Sequence, residues 1–487
     1  MDQETLSEEI KKYVSNIDKD IYTVSNIPEE VIAVIFAYVS RSSKGFRENI
    51  DVVIREEQLG KERASKFHEK WVLNYGHASV AEHAAVHVGI EKVSRLFSSV
   101  LELSNEYLSF TEYSQRYQRP KKGDNYIPEE LSSNEVLKNE FTQLCNFQYD
   151  LYTKLNNELL NYLKNKYPAD KEEDENRHIL ALEKIAFEDA RYALNISTFT
   201  NLGMTANARA IEDSISTLLS SKYPEVRKRA LEMKNEVRFS VPTLVKYANE
   251  NDYIVNTRNE FTHKNLNNRS NVMNGSQVNL LDYTGKGNEN PEHEAIRKIV
   301  SALFFQYSES NLSDIENELS IEMNELISLF KKAVDGLSKY DNPNNVFKLV
   351  KYEAEFVLSE ANWHQLLRHR KVNWIVKDPS IANGITVPPH IRESNTEDLL
   401  MEAIKRSEQL YNMLNDKGYE TAAHYAVTNA HNRKVIGDFD LWELYHLINL
   451  RMSEGAQWDI KKLISDLARQ VGNVHPNLVN PALKRVS

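Results

Sequence analysis

The chain has 487 residues; at about 150 residues per domain this implies roughly two to four domains and excludes one small module. A formal net charge of −11 argues against a general polyanion binder, so nucleic acid is not an expected partner. With 41% hydrophobic and 27% charged residues and one cysteine, Cys145, the composition is that of a globular protein with a large core, no internal disulfide framework and no thiolate zinc site.

Residues 1–16 are mixed in charge without an apolar signal segment, and the apolar run 31–39 is far too short to span a bilayer. A cytoplasmic protein with no membrane partner is expected. In chain order, apolar spacing predicts helices over 8–16 and 29–41, the second marked by Val31, Ile32, Val34, Ile35 and Phe36. The helical pattern continues over 66–73 and 80–88, although alternating Val86, Val88 and Ile90 fit a strand over 84–90 equally well. Long helices are predicted next over 135–166, 173–194, 205–220 and 224–241.

Composition then changes. Residues 256–294, with Asn265, Asn267, Asn268, Asn271, Gly275, Gly285 and Gly287, favour turns and read as a connector between segments 1–255 and 295–487. Beyond it, helices are predicted over 295–308, 315–337, 398–414, 441–451 and 457–471, with a strand-like run at 347–357. The class is a helix-rich α+β protein.

The second half repeats the first in outline. A run from Val93 leads to Glu112-Tyr113-Ser114-Gln115-Arg116-Tyr117 and then Tyr126-Ile127-Pro128. A run from Val357 leads to Arg368-His369-Arg370 and then Thr386-Val387-Pro388. Each half continues with a long helix and an alanine-containing segment, Asp189-Ala190-Arg191-Tyr192-Ala193-Leu194 and Ala422-Ala423-His424-Tyr425-Ala426-Val427.

Arg368-His369-Arg370 sets two fixed charges and an imidazole beside Leu366, Leu367 and Trp374; guanidinium forks suit phosphate or an anionic ring system, and a basic helix end near a C-terminal dipole is the plainer alternative. Ser114 and Arg116 suit a phosphate clamp on a loop, or an ordinary surface turn. Ser79 is placed to cap a helix whose first N–H groups can face an anion. His83 and His87, four apart beside Glu82, raise a zinc helix, but the order is not the metalloprotease pattern and no third ligand is evident; no metal is expected. Neither a Walker A loop nor a GxGxxG turn is present, so a nucleotide would be held by other means.

Taken together, His77-x-Ser79-x-x-Glu82-His83, Ser114-x-Arg116-Tyr117, Arg191, Asn207-Ala208-Arg209, Gln365-x-x-Arg368-His369-Arg370 and Ile448-Asn449-Leu450-Arg451 resemble the flavin-dependent thymidylate synthases. The resemblance covers both halves, so the chain looks like a tandem, double-length member. It implies two synthase-like repeats that form a pseudo-dimer, with a homodimer of chains recreating the family's tetramer.

The motif set is split between the halves. The first keeps His77, Ser79, Glu82, Glu112, Ser114, Arg116, Arg191, Asn207 and Arg209, but has Ser104-Asn105-Glu106 where Arg-His-Arg is expected and Leu218 at the final arginine. The second has Gln365, Arg368, His369, Arg370 and Arg451, with Asp378, Ser380, Asp440, Trp442 and His424 at the remaining positions. These complementary losses suggest one composite site rather than a decaying repeat.

The implied reaction is reductive methylation of dUMP to dTMP, with FAD as cofactor, methylenetetrahydrofolate as carbon donor and NADPH as reductant. Arg451 is the implied catalytic arginine at the uracil ring. Gln365, Arg368, Glu112, Ser114, Arg116 and Arg191 would line the dUMP pocket. His77, Ser79, Glu82, Asn207, Arg209, Arg368, His369 and Arg370 would meet the flavin. Cys145 has no His or Arg neighbour in sequence to activate it, which argues against a thiolate route. The alternatives are a repurposed flavin and nucleotide binder, a flavin-dependent methylase or reductase of another pyrimidine, and a purely structural helical protein, which leaves Arg-His-Arg unexplained.

Overall fold

Alternating burial along extended segments builds two antiparallel sheets. The computed structural model describes residues 8–38, 43–55, 65, 78–169, 174–262, 276–319 and 322–486. β1 (Ala85–Ser94), β2 (Ser109–Glu112) and β3 (Phe199–Asn207) pair in the order β1-β3-β2. In β3, Leu202, Met204 and Ala206 point into the core while Asn201, Gly203 and Thr205 face outward, the two-residue period of a half-buried strand. The β1–β3 register shifts between Ile90 and Val93, a bulge in which Lys92 takes a φ of 53°.

β4 (Val278–Tyr283), β5 (Lys351–Ser359), β6 (Asn373–Val376) and β7 (Asn432–Asp440) pair in the order β4-β5-β7-β6. The sequence of elements is the same around both sheets. β1, helix Arg95–Leu103, β2, helices Glu135–Lys166 and Glu175–Ala190, β3 and helix Ala208–Leu219 are matched by β5, helix Glu360–Leu366, β6, helices Glu397–Asp416 and Glu420–Ala426, β7 and helix Leu441–Arg451.

Four of these strands end on the residue that caps the next helix. Ser94, Asn207, Ser359 and Asp440 close β1, β3, β5 and β7, and their side chains accept the N–H groups of Phe97, Ala210, Asn362 and Glu443 at 2.8–3.0 Å. Each satisfies a donor left open at a helix start and is worth about 1 kcal/mol.

The chain divides into two compact units. One comprises Met1–Ser114, Pro128–Glu130 and Phe199–Asn267; the other comprises Gln115–Ile127, Leu131–Thr198 and Asn268–Ser487. Within the second unit, Leu155, Leu159, Leu163, Ala190 and Tyr192 share a core with Leu400, Ala403, Ile404 and Ala430, so helices from both halves of the sequence pack together there. A second core in that unit surrounds Trp363, Phe347, Tyr352, Phe356 and Tyr445. No helix among the described residues is long and apolar enough to cross a membrane.

Helices Glu135–Lys166 and Leu441–Arg451 match their predicted bounds. Residues 80–88 do not form a helix: a short 3-10 helix, Ala78–His83, gives way to β1, because Val86 and its alternate neighbours pair with β3. Thr205, predicted helical, lies in β3, and the helix begins at Ala208. Residues 315–337 form two helices, Leu312–Glu318 and Met323–Val334. Within 256–294, helix Asp252–Thr262 ends, β4 pairs with β5, and helix Pro291–Tyr307 starts. The helix expected over 66–73 lies outside the described residues.

Gly437 in β7 is held to its size. A Cβ there would stand 2.7 Å from Trp374 Cζ3 and 3.0 Å from Val372 Cγ1. Trp374 cannot easily yield, since it packs edge-on against Trp363 and donates its Nε1–H to the His369 carbonyl at 3.2 Å. Gly437→Ala should therefore destabilise the protein by about 1–3 kcal/mol through overpacking, read as a lowered Tm.

Candidate active site

Within the second unit, guanidinium groups from both sequence halves converge. Arg116 donates through Nε to Glu188 Oε1 at 2.6 Å and through Nη2 to the Gly455 carbonyl at 3.2 Å. Arg451 donates through Nη2 to the Gln365 carbonyl at 2.7 Å. Burial, and then the like charges of Arg116 and Arg368, lower the pKa of Arg451 to about 10. Arg191 is buried; its Nε donates to the Glu188 carbonyl at 3.2 Å, while its Nη2 has no protein partner among the described residues. Gln365 is in the same condition: its amide N–H groups reach the Ala361 carbonyl and Gln457 Oε1, and its own buried Oε1 has no partner among the described residues. Such orphaned polar atoms beside crowded positive charge suit a small anionic ligand with amide-like edges.

His369 sits behind Arg451. Its Nδ1 lies 2.8 Å from Glu443 Oε1, and its Nε2 accepts the Arg451 Nε–H at 2.9 Å. Since Arg451 can only donate, Nε2 is bare and the imidazole proton is on Nδ1. Burial, Arg451 and His446 push the His369 pKa well down, so the contact with Glu443 is a hydrogen bond from a neutral ring. Burial and Asp440 raise the Glu443 carboxyl to about 8; in either protonation state it keeps an oxygen that can accept the Nδ1–H. Arg370, the third member of the motif, is exposed.

The first unit holds the other predicted residues. Ser79 is exposed, and Glu82 pairs with Arg209 at the surface. Asn207 is the cap described above, so its side-chain oxygen is engaged. Glu112 accepts the Thr200 hydroxyl at 2.9 Å and lies 3.7 Å from Arg95. Ser114 is half-buried. His77 lies outside the described residues. His83 stacks on Phe36 with ring centroids 4.8 Å apart, and His87 Nδ1 meets Thr205 Oγ1 at 2.8 Å; one is in the 3-10 helix and the other in β1, so the helical i,i+4 face that would pair them does not form.

Positions that depart from the family pattern have structural work. Ser104 bonds Ser214 at 2.6 Å, Asn105 bonds Asp213 at 2.8 Å, and Leu218 is fully buried. In the second half Asp440 is a helix cap, Trp442 Nε1 donates to the Pro343 carbonyl at 3.1 Å, and His424 stacks on Tyr411. Sequence reasoning missed Glu188, Glu443 and Gln457, which hold Arg116, His369 and Gln365. Their only local signals are positions near motif residues: Glu188 precedes Asp189-Ala190-Arg191, and Glu443 comes directly after Trp442.

Behind Glu188, His390 Nδ1 lies 2.7 Å from Asp189 Oδ2, and Trp458 Nε1 donates to Asp189 Oδ1 at 2.8 Å. Hydrogen bonding to Asp189 raises the His390 pKa, and burial raises that of Asp189. Both groups hold a proton to higher pH than in the unfolded chain, so the folded state binds more protons and loses stability as pH rises. The stability gap between parent and His390→Gln in urea unfolding should be greatest at or below about pH 6, under the ordinary histidine value, and shrink as pH rises through the folded pKa. A gap that widens with pH contradicts this assignment.

Comparison with known proteins places these features in a family. UPF0159 protein Ta1429 of Thermoplasma acidophilum is 25% identical over 91% of this chain and 93% of its own length. A UPF0159 protein of Chlamydia muridarum is 23% identical over 96% of this chain and 92% of its own. The flavin-dependent thymidylate synthase of Clostridium tetani is 28% identical over 39% of this chain and 72% of its own length. The family model for the thymidylate synthase complementing proteins, Thy1, matches residues 22–243 and 279–477. That coverage takes in most of both halves, and the chain belongs to the Thy1 family as a double-length member.

Proposed function

We propose that the protein is a flavin-dependent thymidylate synthase whose single type of site combines residues from both sequence halves. The reaction is dUMP + methylenetetrahydrofolate + NADPH + H⁺ → dTMP + tetrahydrofolate + NADP⁺. The observation that carries the reading is the convergence of Arg116, from the first half, with Arg368 and Arg451, from the second, beside the unpaired polar atoms of Arg191 and Gln365. It is supported by the family match and by the names of the partial relatives.

In this reading Arg116, Arg191, Arg368 and Gln365, all in the second unit, hold dUMP, with guanidinium forks on its phosphate. Arg451 faces the uracil ring and stabilises negative charge that develops there; its remaining N–H donors are suited to an N3–O edge. Bound and reduced FAD supplies the hydride, and methylenetetrahydrofolate the carbon. The flavin set is carried over from the resemblance: in the first unit Ser79 and Arg209 are exposed, and in the second Arg370 is exposed and Arg368 half-buried. His77, Glu82 and Asn207 complete the proposed flavin set. His369 fits it less well, because both ring nitrogens are engaged within the protein. Each chain acts as a pseudo-dimer, and two chains form a homodimer equivalent to a tetramer of single-length proteins.

The test is mass-spectrometric detection of dTMP from purified protein with FAD, NADPH, methylenetetrahydrofolate and dUMP. Product is expected, and Arg451→Ala should abolish most of it. Folded, flavin-bound protein that makes no dTMP would overturn the synthase and favour a flavin and nucleotide binder or a methylase of another pyrimidine.

Arg116→Ala and Arg368→Ala each remove a charge-assisted contact worth about 1.5–3 kcal/mol. Each should weaken dUMP binding by roughly ten- to a hundredfold in calorimetry, although the two residues lie in different halves. Full affinity in either folded variant rejects the composite site.

A further inference from the structure

We propose that Glu443 and His369 are positioning residues that hold the Arg451 guanidinium in its working orientation. The inference rests on the reading of Arg451 as the group that faces the pyrimidine. Glu443 Oε1 accepts the His369 Nδ1–H, which leaves Nε2 as the acceptor for Arg451 Nε–H, and the Gln365 carbonyl takes a second donor from Nη2. Two of the five arginine N–H groups are thus fixed on one edge, and the other edge keeps its donors for a ligand.

Arg451 needs such an anchor. Arg116 and Arg368 repel it, and burial disfavours its charge, so an unheld side chain in this setting turns away toward solvent or lets its neighbours spread. A carboxylate placed directly against Arg451 would steady it but cancel the positive charge. The interposed neutral imidazole gives direction without that cancellation, because it presents a lone pair rather than a formal charge. His369 is 3% exposed and Glu443 2%, so solvent does not compete for either contact.

The same cluster has a second candidate occupant. His369, Glu443 and His446 each offer a metal-ligand atom, all within 4.8 Å of one another. A cation bound to Nδ1 would displace the proton to Nε2, where it would point at the Arg451 Nε–H. Donor would face donor, and the nearby arginine adds Coulomb repulsion. The arrangement is built for a proton on Nδ1, not for a metal.

Glu443→Ala and His369→Ala test the proposal, with Glu443→Gln as the conservative control that keeps an oxygen for Nδ1–H. Hydrogen-bond partners that orient metal ligands cost roughly 10–100-fold when lost, and the same scale is taken for the partners of Arg451. Glu443→Ala and His369→Ala should lower kcat for dTMP formation by roughly that factor, with the Kd for dUMP changed less than about threefold, and Glu443→Gln should recover most of the loss. Independently of activity, the 15N spectrum of histidine-labelled protein should show the neutral Nδ1–H form of His369 in the parent and in Glu443→Gln. Unchanged kcat in folded His369→Ala, an Nε2–H tautomer in the parent, or stoichiometric zinc in the purified protein would each overturn the relay. If the parent makes no dTMP, the synthase reading fails by itself, and the tautomer and metal content still decide the relay.

Discussion

A hydrogen bond from the last side chain of a strand to the first turn of the next helix sets the geometry of the site. Ser94, Asn207, Ser359 and Asp440 are at once strand ends and helix caps, so no free loop intervenes and the helix register is set by the sheet. Counting from Ser359, one short helix brings Gln365 and Arg368 to its far end. Counting from Asp440, three turns bring Arg451 to the end of its helix, with Glu443 in the first turn where the cap holds its N–H. The spacing between these side chains is therefore inherited from pairing between β5 and β7, which run antiparallel in unbroken register from Lys351 to Ser359.

That rigid delivery brings like charges together, which is unfavourable unless something else compensates. Arg116 meets the Glu188 carboxylate and the Gly455 carbonyl, and Arg451 meets a carbonyl and a neutral imidazole. Burial and the like charges of Arg116 and Arg368 still lower the Arg451 pKa to about 10, so the guanidinium groups repel one another there, inside a chain whose overall charge is −11. A site of this kind gains most from a ligand that carries the missing negative charge, and its arginines are pre-oriented for it before the ligand arrives.

Sequence reasoning reaches the long helices because a 3.6-residue period sustained over Glu135–Lys166 has no competing reading. It fails at β3 and β4. Thr200, Leu202, Met204 and Ala206 alternate correctly, but the strand runs without a turn signal into Ala208–Leu219, so the helical period claims its last residues. β4 hides in an Asn- and Gly-rich stretch whose composition outweighs Val278 and Leu280. The arginines that converge in the second unit stand out in the sequence by their motif order. Their partners do not, because Arg116 and Glu188 are 72 residues apart, and His369 and Glu443 are 74; nothing in a local window links them. Motif order could not separate the two roles of an imidazole either. His369 reads the same as a ligand contact or as a support for Arg451, and the proposal of a support rests on the direction of the Arg451 Nε–H.

The sharing of one core by helices from both sequence halves has a consequence for synthesis on the ribosome. Gln148 contacts Ala403, 255 residues later, and Leu155, Leu159 and Leu163 lie in the same assembly. At typical elongation speeds the first helix waits on the order of ten to fifty seconds for its partner to emerge. During that interval helix Glu175–Ala190 covers part of the leucine face through Leu182, Ala186 and Ala190, and the side met by Leu400, Ala403 and Ile404 waits. That side is open to premature association with other chains until the last third of the polypeptide emerges.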